Sequence, residues 1–121
     1  MPYIVGTSLP NTLEMSAGSV RSSISTTTST SEALLVTLDK DDFRSVNYQV
    51  QAVQGTNYNT TTINVVHDGT NTYMNEFGTL NQPTGIATFS TDINSGALRL
   101  LGYPSSSSST TFKVIFTALQ V

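Results

Sequence analysis

From Phe112 to Ala118 every second residue is apolar, with Phe112, Val114, Phe116 and Ala118 on one side and Lys113, Ile115 and Thr117 on the other. A two-residue period sends alternate side chains to opposite faces of an extended chain, so this segment predicts a strand with one buried face. The same period runs through Leu34, Val36 and Leu38. It recurs through Val46, Tyr48, Val50 and Ala52, set against Asn47, Gln49 and Gln51. Shorter runs follow Ile63 to His67, Tyr73 to Phe77, Ile86 to Ile93 and Ala97 to Leu101. No stretch sustains the helical period.

Turn residues separate these runs. Asp39-Lys40-Asp41-Asp42, Gly55-Thr56-Asn57, Asp68-Gly69, Asn81-Gln82-Pro83-Thr84-Gly85 and Asn94-Ser95-Gly96 each interrupt an apolar alternation. Gly102-Tyr103-Pro104 ends a further strand, and Ser105 to Ser109 reads as a loop tip. Asp-Gly between two alternating runs is a strong hairpin signal, because glycine supplies the positive φ that a tight turn needs. Strands at this spacing predict an all-β fold, an antiparallel β-sandwich of about seven strands. Jelly-roll and immunoglobulin-like topologies share the pattern, so both remain open.

Residues 1–31 read differently. Tyr3, Ile4, Val5, Leu9, Leu13 and Met15 are apolar at irregular spacing, and a Ser/Thr tract follows from Ser22 to Ser31. Neither period persists, which predicts an extended N-terminal arm over 1–31 and a sandwich domain over 32–121. A segment of this kind buries too little apolar surface by itself to offset the entropy of ordering it. Tyr3, Ile4, Val5, Leu9, Leu13 and Met15 are therefore the candidate partner-binding residues. A neighbouring subunit or the chain's own domain would hold them.

Composition narrows the function classes. Charged residues make up 11% of the 121 residues, against about a quarter in an ordinary domain. Ser, Thr, Asn and Gln take their place, as suits a subunit whose surface is covered by neighbours, since charge is depleted in buried interfaces. The net charge is −3, and Arg21, Lys40, Arg44, Arg99 and Lys113 are scattered. Neutralising a row of phosphates needs clustered cations, so no nucleic-acid partner is expected. The chain has no cysteine, which excludes disulfides and thiol chemistry. Met1-Pro2-Tyr3-Ile4-Val5-Gly6 lacks the basic and long apolar regions of a secretory signal, and no run has the length of a membrane helix. Synthesis in a cytoplasm without membrane association is the expectation.

Catalytic chemistry has few candidates. His67 is the single histidine and stands beside Asp68. A base oriented by a carboxylate would need both on one side, whereas strand neighbours diverge and Asp68 belongs to the turn. Asp39, Asp41 and Asp42 lack the further ligands and closing Glu of a calcium loop, and Lys40 sits among them. No cofactor, no metal site and no enzymatic activity are expected. Tyr48 and Tyr73 fall at inward periods and are expected in the core. Tyr58 and Tyr103 fall in predicted loops, where they are candidates for stacking on a sugar. Asn59-Thr60-Thr61 has the pattern of a glycosylation acceptor without a secretory signal to give it meaning.

One stretch carries a family resemblance. Phe43-Arg44-Ser45-Val46-Asn47-Tyr48-Gln49-Val50-Gln51 resembles the opening of a domain recurrent in virion structural proteins of tailed bacteriophages, especially those of marine cyanobacteria. The family's His-Asp-Gly-Thr hairpin is matched by Val65 to Tyr73, followed by Glu76-Phe77-Gly78-Thr79. Its later segments are matched by Thr88 to Gly96 and by Leu98-Arg99-Leu100-Leu101. The resemblance covers about 32–121 and leaves 1–31 unmatched. It implies a non-enzymatic component of the phage particle. The free-standing arrangement points to a capsid decoration or cement protein bound to the major capsid protein or other virion subunits, as a homo-oligomer. A neck, tail or short-fibre subunit is the alternative, and a carbohydrate-binding module a further one.

Overall fold

The computed structural model describes residues 12–121, and every element in them is a strand. In chain order these are β1 (Thr12–Glu14), β2 (Gly18–Thr27), β3 (Ala33–Asp39), β4 (Phe43–Gln54), β5 (Asn57–His67), β6 (Thr72–Gln82), β7 (Ala87–Asn94), β8 (Ala97–Pro104) and β9 (Thr110–Gln120). They form a six-stranded sheet ordered β1-β2-β9-β4-β5-β6 and a three-stranded sheet ordered β3-β8-β7. All pairings are antiparallel. The molecule is an antiparallel β-sandwich.

The core lies where the two sheets face each other. Val46, Tyr48 and Val50 on β4 stand opposite Ala118, Phe116 and Val114 on β9, and Ile63 and Val65 on β5 continue the same rows. Val36 and Leu38 on β3, Leu98 and Leu100 on β8 and Phe89 and Ile93 on β7 close the interior from the other sheet. The two-residue period therefore marks the buried face correctly in β4 and β9. The hydroxyl of Tyr48 is an exception to the satisfied interior: the side chain is fully buried and, among the described residues, no group is within hydrogen-bonding reach. Burial holds its pKa well above the ordinary tyrosine value. Tyr48→Phe keeps the ring against Phe116, whose centroid is 5.5 Å away, and removes the orphaned group. It is expected to leave the melting temperature unchanged or to raise stability by up to about 1 kcal/mol. A clear fall in thermal melts would show that the hydroxyl has a partner.

The expectation of a separate arm over 1–31 is corrected for its described part. β2 pairs with β9 in unbroken register from Gly18↔Leu119 to Thr27↔Thr110, and β1 pairs with β2. The strand count among the described residues is accordingly nine rather than about seven. Β2 escaped the periodic reading because its parity is inverted. Ser19, Arg21, Ser23 and Ser25 face inward with Ala118, Phe116, Val114 and Phe112, while Val20 and Ile24 face out. Polar groups make the inward contacts instead. The Arg21 guanidinium lies 4.9 Å from the Phe43 ring centroid, and Ser23 Oγ donates to the Leu35 carbonyl at 2.8 Å, bridging the sheets. Gly18 is needed where β2 begins, since a Cβ there would stand 2.0 Å from the Ala118 carbonyl oxygen.

Candidate functional site

Among the described residues, the small sheet covers one face of the large one and leaves the other open. Register assigns the open face: Leu13 on β1, Ile24 on β2, Ile115 and Leu119 on β9, Tyr58 and Val66 on β5, and Tyr73, Phe77 and Leu80 on β6. All are exposed, Leu80 and Ile24 to 68% and 69%. Between these flanks β4 contributes Ser45, Asn47, Gln49 and Gln51. Among the residues whose register places them on this face, Lys113 is the only charged one. The face is thus apolar at its flanks, polar along β4 and almost free of charge among the described residues.

Part of the face is concave. A groove of about 540 Å³ is lined by Asn47, Asn64, Val66, Tyr73, Asn75, Thr117 and Leu119, among others. Asn47 Nδ2 donates to Asn64 Oδ1 across β4 and β5, giving the groove a floor of side-chain amides. Β6 forms its outer wall. This strand contributes nothing to the buried core and is exposed at every position after Thr72. It is held by its ladder to β5 and by a bridge to β7, where the Thr72 hydroxyl donates to the Thr91 carbonyl at 3.0 Å.

The loop from Asp68 to Asn71 positions that wall. The hairpin is present as predicted, but with four loop residues rather than a two-residue Asp-Gly turn, since β5 ends at His67 and β6 begins at Thr72. Asp68 Oδ1 accepts from the Asn71 and Thr70 amides at 2.8 and 2.9 Å, and Oδ2 accepts from the Tyr73 hydroxyl at 2.9 Å. The Asn71 amide first, then the Thr70 amide and the Tyr73 hydroxyl, lower the Asp68 pKa from its ordinary 3.8 to about 2. On acidification the unfolded chain takes this proton before the folded one does. The contribution of Asp68 is therefore complete above the unfolded value and disappears as pH falls through the folded one. Melting temperature is expected to drop between about pH 4 and pH 2, and to drop less in Asp68→Asn. Parallel pH curves for the two proteins would contradict this role.

His67 is buried beneath the same loop. The Gly69 amide donates to its Nδ1 at 2.9 Å, so Nε2 carries the hydrogen and donates to the Phe43 carbonyl at 2.6 Å. Arg44 Nη1 donates to the His67 carbonyl at 3.0 Å. Both ring nitrogens thus serve the backbone, and the carboxylate of Asp68 is turned to its own loop. Gly69 has φ of +98°, where a β-branched residue is strongly disfavoured. Gly69→Val is expected to destabilise by more than about 1 kcal/mol, and His67→Ala by about 2–3 kcal/mol because it strands buried partners. Thermal melts test both, and unchanged values for either would show that it does not support the loop from Asp68 to Asn71.

The other sequence candidates scatter. Leu13 lies on the open face and Met15 in the β1–β2 turn, each half exposed. Tyr3, Ile4, Val5 and Leu9 lie outside the described residues. Tyr73, expected in the core, is on the open face because it pairs with Val66 and not with an inward residue. Tyr58 and Tyr103 are in strands β5 and β8 rather than in loops. Tyr58 faces outward at one corner of the open face, whereas the Tyr103 hydroxyl takes a hydrogen bond from Ser90 Oγ at 3.2 Å on the other sheet. They do not form a joint stacking site. Asp39, Asp41 and Asp42 form the β3–β4 turn, where Asp39 Oδ1 accepts from the Asp41 amide and Lys40 pairs with Asp41. The Asn59 amide is engaged with the Thr84 carbonyl and the Ile86 amide.

No protein-family model matches the sequence, and no curated protein matches it. Among solved structures, the fold is similar to part of the tailspike protein of the Acinetobacter phage vB_ApiP_P1. The TM-score is 0.50 at 16% identity. The match takes in 100% of this chain and 25% of the tailspike, so the chain spans about a quarter of that protein's length.

Proposed function

We propose that this chain is a non-catalytic structural module of a tailed-phage particle that works by packing protein against the open face of its six-stranded sheet. The observation that carries this reading is the face itself, broad, flanked by exposed apolar side chains and bearing Lys113 as its one charge among the described residues. Two further findings support it. The fold is similar to part of a phage tailspike, and the segments from Phe43 to Leu101 resemble a virion domain of tailed phages. The commitment of both His67 nitrogens to backbone groups fits a structural role.

Within the particle, the resemblance favours a head decoration or cement subunit seated on the major capsid protein. The tailspike likeness favours a tail-side module instead, and this second reading stands on that observation. Quantitative mass spectrometry of purified particles, with labelled peptides of this chain as standards, separates them. A copy number on the scale of the shell lattice supports decoration, and one on the scale of tail symmetry supports the tail. Absence of the chain from purified, infectious particles overturns the proposal.

A further inference from the structure

The open face has a composition that suits one occupant in particular. We infer that it is filled by a second copy of this chain, the two six-stranded sheets packing face to face about a two-fold axis parallel to the strands beneath β4. This rests on the reading of that face as a packing surface and names what packs there.

Three features of the face point to a copy of itself. The first is area. Five long strands at roughly 4.8 Å spacing and about ten residues at 3.3 Å each give a footprint of about 800 Å². That is about what each partner contributes to a standard stable interface. The second is the order of chemistry across the sheet. A two-fold axis beneath β4 lays the β5–β6 flank of one copy over the β9–β2 flank of the other. Leu80, in the row of Gln51, then lies over Ile24 of the other copy, and Val66, in the row of Ser45, lies over Leu119. The column on the axis is Asn47, Gln49 and Gln51. A carboxamide has both a donor and an acceptor, so each can pair with its own copy. The third is charge. The acidic residues of this net-negative chain lie off the face, so two copies approach without carboxylates opposed. Lys113 sits on β9, to one side of the axis, and the two lysines are kept apart.

The pairing makes a specific demand. Ile115 on β9 and Thr62 on β5 share a row, both opposite Gln49. Under the two-fold, Ile115 of one copy lies over Thr62 of the other. Sedimentation of the full chain over a concentration series is expected to give a dimer. Ile115→Lys and Thr62→Glu are each expected to weaken it at least about tenfold, with unchanged circular dichroism and cooperative melting. The double variant is expected to restore it, since each lysine then faces a glutamate. Gln49→Lys provides a second test that leaves the flanks intact: it sets a lysine against its own copy on the axis and is expected to give monomers. A wild-type chain that is monomeric throughout overturns the inference and leaves a different virion protein as the occupant. A dimer indifferent to all these changes also overturns it, and moves self-association elsewhere. Particle incorporation is read separately, so neither result decides the functional proposal.

Discussion

A chain beginning at Thr30 is expected to lose the cooperative melt of the full protein and to aggregate. The reason lies in what β2 does for β9. Ten residues of β2 are matched in register to β9, and removing them turns an interior strand into an edge. An open edge of that length is a template for aggregation. The ladder by itself does not decide the outcome. Net gains of about 0.5–1.5 kcal/mol per hydrogen bond are largely offset by about 1–2 kcal/mol per residue of backbone ordering. What tips the balance is the shielding of Phe112, Val114 and Phe116 along one flank, and the Ser23 bridge to Leu35 that ties the two sheets. Circular dichroism melts and light scattering read both effects. A truncated chain that melts cooperatively at the temperature of the full one would show that β2 is dispensable and would restore the separate arm over 1–31.

Phe112→Ala is expected to be the most damaging single substitution, at about 3–5 kcal/mol. The ring is fully buried and meets Phe89 edge-on at 6.0 Å, joining β9 of one sheet to β7 of the other. Nearby Gly102 keeps room for it, since a Cβ there would stand 3.4 Å from the ring and 3.0 Å from Leu35 Cδ1. Neighbours so closely fitted collapse poorly around a void, so the cost should fall at the upper end. Set against a typical total of about 5–15 kcal/mol, this corresponds to a fall in melting temperature of roughly 10–20 °C. Leu34→Ala, on the outer side of the small sheet and half exposed, is expected to cost under about 1 kcal/mol. Equal losses for the two would mean that the inner and outer faces are assigned the wrong way round.

The sequence by itself determined the strand class, most of the turns and the buried parity of the central strands. Val46, Tyr48, Val50, Phe112, Val114 and Phe116 announce one interior, and all six are buried. That signal exists because burial acts on side chains, and side chains are what a sequence spells out. Β2 and β6 show its limit. Β2 is held by main-chain pairing and polar contacts with its apolar residues turned outward, and backbone hydrogen bonds have no residue signature. Tyr73 and Phe77 were legible as sharing a face, but not as facing away from the core, because period two states that two faces differ and not which is covered. The order β1-β2-β9-β4-β5-β6 brings together residues from Leu13 to Leu119. Only that non-local pairing, with a three-stranded sheet covering one side alone among the described residues, decided that a face flanked by apolar side chains and carrying Lys113 as its one charge would be left open.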